Sequence, residues 1–223
     1  MSAVTSILAT TTPATSTRLT TRDRVFTELN LTDSDGKTGA RIDGLIDEAS
    51  QTIVSYLRRP LAKATFTETF YMRQLIGSGF GAPIIEVLQL QQWPITTLTS
   101  ITEDGTALTA SDYLSDPDRG HIRRLDSSGV LSYWSAFQVV VVYVAGFVLP
   151  EMGTGASTLP YDIERACVEI VKASWFKRTR DPLVRSEEIY RVIRKDYQTA
   201  GPGDSGIPDA AADLLNPYRR MYA

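Results

Sequence analysis

Five groupings of residues have the side-chain types from which a chemical site could be built. They are Asp33 and Asp35, the glycines Gly77, Gly79 and Gly81, a lone His121, a lone Cys167, and a run of arginines from Arg178 onward. Asp33-x-Asp35 opens like a calcium loop, which needs glycine at its sixth position and a bidentate glutamate at its twelfth. Gly36 stands fourth, Lys37 fifth and Gly44 twelfth, so the pair reads as an Asx turn. The glycines lead into Ala82-Pro83 and a strand, whereas a phosphate cradle feeds a helix N-terminus. They read as a hairpin tip. His121 has no G-x-S-x-G elbow anywhere in the chain to serve, and reads as a half-exposed strand residue. Cys167 falls on the apolar face of a helix and reads as a small core residue.

One cysteine makes no internal disulfide, and one cysteine with one histidine makes no zinc set. No catalytic residue, metal ligand or cofactor-binding residue is therefore expected. Lys+Arg 23 against Asp+Glu 26 leaves a net charge of −3, without the basic excess of a protein that grips phosphates. Met1 to Thr17 has no Lys or Arg and so lacks the charged opening of a signal peptide; Val139 to Leu149 is too short to span a bilayer. The expectation is a soluble chain of cytosolic origin with no membrane partner.

The elements change period along the sequence. Ile42, Leu45, Ile46, Ala49, Ile53, Tyr56 and Leu57 recur at helical spacing, and Pro60 stops them. A shorter helix is predicted from Thr20 or Thr21 to Leu29. From Thr65 to Tyr71 the pattern alternates, with Phe66, Glu68 and Phe70 on one side. Further strands are predicted at 84–90, 98–103, 113–114, 121–125 and 137–147, with Asp104-Gly105 as a hairpin turn. Pro160 opens a helix carrying Ile163, Ala166, Cys167, Ile170, Val171 and Trp175, and Asp181-Pro182 ends it. Ser186 is read as the cap of another helix, through Ile189, Val192, Ile193 and Tyr197.

These elements predict an α+β fold: a helical bundle from the N- and C-terminal parts with an inserted small antiparallel β module. The expected division is a flexible N-terminal tail at 1–17, the bundle at 18–62 and 150–200, the β module at 63–149, and a tethered C-terminal interaction segment at 201–223. Arg178, Arg180, Arg185, Arg191 and Arg194 form a basic cluster, either a solvated face or a surface between subunits or toward a partner. The segment from Ile207 follows a glycine-rich tether and is too short to stabilise itself, so it packs back on its own domain or docks elsewhere.

Taken in order, several stretches resemble the head–tail connector (adaptor) proteins of long-tailed bacteriophages and gene-transfer particles. They are the helix from Ala49 through Tyr56-Leu57; Trp93-Pro94-Ile95 with Leu98, Ile101 and Asp104-Gly105; Tyr143-Val144-Ala145-Gly146-Phe147 with Pro150; Leu159-Pro160-x-Asp162-Ile163-x-x-Ala166; and Arg180-Asp181-Pro182. The likeness spans residues 40–200, and order and spacing carry it. It implies a non-enzymatic virion protein of the neck, made in the host cytoplasm. Such a protein forms a ring of about twelve copies that joins the portal protein to the next neck or tail protein. DNA would pass through without sequence-specific binding. The resemblance also implies portal contact through the C-terminal segment, at Leu214, Leu215, Tyr218, Arg219 and Arg220. The rival expectations are a tail-side completion protein and a ligand-binding β module with Trp93, Tyr113 and Trp134 as a sugar platform.

Overall fold

Alternation of β-formers between two helical regions is realised as two separate units. A computed structural model describes residues 4–32, 36–72, 85–152, 156–178, 186–189, 193–196 and 207–219, the two four-residue stretches by backbone alone. Asp33, Asp35, Gly77, Gly79 and Gly81 lie outside these residues. The fold is α+β with antiparallel sheets. One unit comprises Met1–Thr15 and Pro60–Phe147, the other Ser16–Arg59 and Val148–Ala223.

In the first unit a five-stranded sheet runs in the order β1-β2-β9-β4-β5. Its strands are β1 (Val4–Thr12), β2 (Ala64–Met72), β4 (Ile95–Glu103), β5 (Thr106–Ala107) and β9 (Gln138–Ala145). β9, with its run of valines, takes the centre, where both of its edges are paired. Strict alternation sends Phe66, Glu68 and Phe70 inward, with Val139, Val141 and Tyr143 of β9 beside them. A second sheet joins β3 (Val87–Gln89), β7 (His121–Leu125) and β6 (Tyr113–Asp116), with β8 (Leu131–Ser132) on β7. Its inward Leu88 and Ile122 complete a core shared by both sheets, with Trp134 inside it. Burying each such side chain is worth about 1.5–3 kcal/mol.

Two turns need special backbone. Asp104 and Gly105 have φ of 47° and 83°, the mirror-type pair that a two-residue hairpin requires. The Asp104 carboxylate also accepts from the backbone N–H of Gln138 at 2.9 Å, pinning the start of β9. Gly146, at φ 102°, lets β9 end against the Leu61–Ala62 backbone; a Cβ there would lie 2.7 Å from the Ala62 carbonyl oxygen.

The second unit contains α1 (Arg22–Leu29), α2 (Lys37–Leu57), α3 (Tyr161–Lys177) and α4 (Asp209–Leu215), followed by a 3₁₀ turn at Asn216–Tyr218. Thr21 caps α1 by accepting from the Arg24 N–H at 3.3 Å. α2 buries Ile42, Ile46, Ala49, Ile53 and Leu57 along one face, and α3 buries Ile163, Ala166, Cys167, Ile170 and Val171. α1, α2 and α3 pack against one another through these faces. Among the described residues no helix is long and apolar enough to cross a membrane.

Two expectations are corrected. The N-terminal stretch predicted to be loose forms β1, paired with β2 from Val4 opposite Met72 to Thr12 opposite Thr65. Its β-branched Val, Ile and Thr suit a strand, and backbone pairing does not need a strongly apolar sequence. The helix predicted from Ser186 is an antiparallel hairpin, β10 (Ser186–Ile189) with β11 (Ile193–Asp196). Ile and Val at 189, 192 and 193 satisfy either period over so short a run, and they favour strand. The backbone register sets Glu188 opposite Arg194 and Glu187 opposite Lys195.

Candidate functional site

The C-terminal segment is built from a four-residue spacing. Ile207, Ala211 and Leu215 recur every fourth residue and are buried, the last two completely. Pro208 and Asp209 open α4 with a fixed φ and a favourable charge. With seven residues α4 is too short to hold alone, and it is stabilised by packing on α3. Three polar contacts lock its end. Tyr56 of α2 donates its hydroxyl to Asn216 Oδ1 at 2.7 Å. The Arg219 guanidinium lies 5.1 Å from the centre of the Tyr56 ring, within cation–π range. Tyr218 donates its hydroxyl to Asp162 Oδ2 at 3.3 Å, in the first turn of α3. Burial, and then the Asp162 charge, push the Tyr218 hydroxyl above its ordinary pKa.

The five residues expected at the portal contact are therefore placed differently from one another. Leu215 is enclosed in its own unit; Leu214 and Tyr218 are half-buried; Arg219 is exposed. Arg220 lies outside the described residues. Of the basic cluster, Arg178 is exposed at the end of α3, its guanidinium 3.4 Å from the centre of the Trp175 ring. Arg180, Arg185 and Arg191 lie outside the described residues, and Arg194 is described only as a backbone position in β11.

Beside this segment runs an open groove of about 990 Å³, whose walls include Asp47, Glu48, Gln51, Ser55, Tyr56 and Ile207. One of its carboxylates is already committed. Arg18 donates to both oxygens of Asp47, at 2.6 and 2.9 Å, and lies 3.5 Å from Asp43 and 3.6 Å from Glu151. Those bonds hold the Arg18 guanidinium well above its usual pKa. Arg22 also bonds Asp43, holding that carboxyl below the usual range. The cluster therefore fastens the chain before α1 to α2 rather than presenting a free charge.

Residues with chemical potential elsewhere are structural. His121 bonds the side-chain oxygen of Gln89, whose amide nitrogen donates to the Arg119 carbonyl at 2.8 Å. Cys167 is buried 3.8 Å from Ser50 Oγ, and burial pushes its thiol up to about 12, far from a reactive thiolate at neutral pH. Trp134 is enclosed in the core and Tyr113 packs against it, so these two offer no stacking platform. Among the described residues no three His, Cys, Asp or Glu side chains gather to hold a metal.

Sequence reasoning missed two features. One is the Tyr56–Asn216 and Asp162–Tyr218 pairing, which joins residues 160 and 56 positions apart and leaves no local signal. The other is Glu68, fully buried, with Oε2 accepting from the Tyr143 hydroxyl at 2.9 Å and the Gln91 N–H at 3.0 Å. Its signal was present: Glu68 occupies an inward position between Phe66 and Phe70 in an alternating strand.

No protein-family model matches the chain, and no curated protein matches it. Among solved structures it is similar to a chain in the neck of an empty gene-transfer-agent particle computed with C6 symmetry. The TM-score is 0.55 at 17% identity, over 97% of this chain and 97% of that chain. At that identity the likeness is one of fold.

Proposed function

We propose that this chain is a structural protein of a virion neck, forming a ring that joins the portal of a capsid to the tail and continues the DNA channel. The observation that carries the reading is the fold likeness along nearly the whole chain to a component of a particle neck. A net charge of −3 also suits a passage through which DNA slides, because tight phosphate binding would retard its exit.

In this reading the helices of Ser16–Arg59 and the C-terminal part form the bundle that meets the portal. The segment from Ile207 supplies the contact. Leu215 and Ala211 seat the segment, while Leu214, Tyr218 and Arg219, with Arg220 beyond them, reach the portal groove as apolar anchors and rim cations. Arg178 and the arginines after it face a neighbouring subunit or the next neck protein.

Native mass spectrometry of the chain, alone and mixed with the portal protein of the same genome, tests this. A portal complex carrying a full ring of this chain is the expected result. Loss of that complex when residues 207–223 are removed assigns the contact to the segment. Failure of the intact chain to meet the portal moves the assignment to a tail-side completion protein.

A further inference from the structure

β1 is held on the first unit by backbone pairing more than by burial. Its nine residues, Val4–Thr12, run antiparallel to β2, with one shift of register near Thr10. Ser6 and Leu8 turn inward and are half-buried, while Thr5, Ile7 and residues 9–12 are exposed. The slot that receives the strand is nevertheless specific. Ser6 Oγ accepts from the Gln91 side-chain amide at 2.8 Å, and the Gln91 backbone N–H donates in turn to Glu68 Oε2 at 3.0 Å. Leu8 is the register partner of Glu68, so the strand lies alongside the buried carboxyl. The hydroxyls of Thr11 and Thr67 bond at 2.8 Å. Glu68 Oε1 has no hydrogen-bond partner among the described residues, so closing the slot over this carboxyl carries a desolvation cost. β1 thus combines a full ladder of backbone bonds with little apolar burial.

The connection that follows β1 is short. Residues 13–17 lead toward the second unit, the boundary falling between Thr15 and Ser16. At the far end Arg18 is fixed to Asp47, and the Leu19 N–H donates to Ser50 Oγ at 3.1 Å. Five residues therefore join two anchored ends, and Pro13 narrows the conformations open to them. Short hinges under constraint invite the exchange of an element between identical chains. An exchanged β1 meets the same β2 backbone, the same Gln91 amide and the same Thr67 hydroxyl, so no contact is lost.

We infer that β1 of one copy leaves its own slot and pairs with β2 of a neighbouring copy, so that copies of this chain are joined by exchanged N-terminal strands. A second copy is the occupant because the fit is already present within one chain. The β1 sequence and register set a hydroxyl on the Gln91 amide, a leucine beside Glu68 and a threonine against Thr67. Every copy carries that strand and that slot. Exchange repeats from one copy to the next and closes into a ring where the rotation allows. This inference deepens the ring reading above by naming what joins the subunits.

Two full-length chains with one introduced cysteine each, Ile7→Cys and Thr69→Cys, test the exchange. The two positions are register partners within disulfide reach, and neither chain holds both. Native Cys167 is buried in the other unit. An unchanged circular dichroism spectrum verifies folding. Mixed at high concentration and oxidised, the chains are expected to give a disulfide-linked pair of one chain of each kind as the dominant cross-linked species. No cross-link, or like pairs in equal yield, overturns the exchange. The doubly substituted chain, oxidised while dilute, closes the bond within itself and locks β1 in its own slot. Native mass spectrometry with the portal protein should show this locked chain failing to form the ring, and forming it once reduced. Locked chains that fill the portal ring normally sink the exchange and leave the neck role standing. Chains that cross-link in the mixture but never join the portal protein leave the exchange standing and sink the neck reading.

Discussion

At Glu68 burial and hydrogen bonding pull against each other. Burial raises its pKa, and the bonds from Gln91 and Tyr143 offset only part of that. A carboxyl whose folded pKa is raised above its ordinary 4.5 holds a proton in the folded state that the unfolded chain has lost. Its contribution is thus fully present below pH 4.5 and is lost as pH rises through the folded value. Urea unfolding followed from pH 4 to 8 should show wild-type stability falling across that window. Glu68→Gln, which stays neutral while keeping an acceptor for Tyr143, should remove this part of the slope. An unchanged slope would show that Glu68 is already ionised in the fold. Its inward place was legible in the alternation of β2; its partners were not, because Tyr143 and Gln91 approach from other strands and loops.

At the scale of elements, the end of β9 and the N-terminal strand carry separate expectations. Gly146→Ala places a methyl 2.7 Å from the Ala62 carbonyl oxygen at a φ of 102°, so strain and clash combine. The expected cost is about 2–4 kcal/mol in a denaturation midpoint, and a shift within experimental error would refute the close approach. Removing residues 1–12 strips β1 from β2, uncovering part of the core beside Leu8. The truncated chain should melt lower and bind a hydrophobic dye, whereas a loose tail would leave both readings unchanged. α1, α2, α3, β2, β7 and β9 were readable because caps, prolines and sustained periods mark them locally. β1 and the β10–β11 hairpin were not, since short Thr- or Ile-rich runs take whichever period their neighbours offer.

For the whole molecule, net charge and the pairing of its cations set the behaviour toward nucleic acid. Arg18, Arg22 and Arg124 are engaged with carboxylates, which lowers the positive field left for phosphates. Gel-shift titration with duplex DNA at physiological salt should show at most weak binding, without sequence preference and disappearing as salt is raised. Tight, sequence-selective binding would be incompatible with a lining through which DNA slides.

The sequence by itself determined the α+β class, most helix and strand positions and the lack of a local catalytic motif. Those properties follow from period, turn chemistry and composition within short windows. Tertiary structure decided which residues remain available. It buried Leu215 while leaving Arg219 exposed, recruited an N-terminal stretch as an edge strand, and enclosed Trp134 in a core shared by two sheets. Such outcomes depend on partners far away in the chain, whose approach is governed by how whole faces pack and leaves no trace in neighbouring residues.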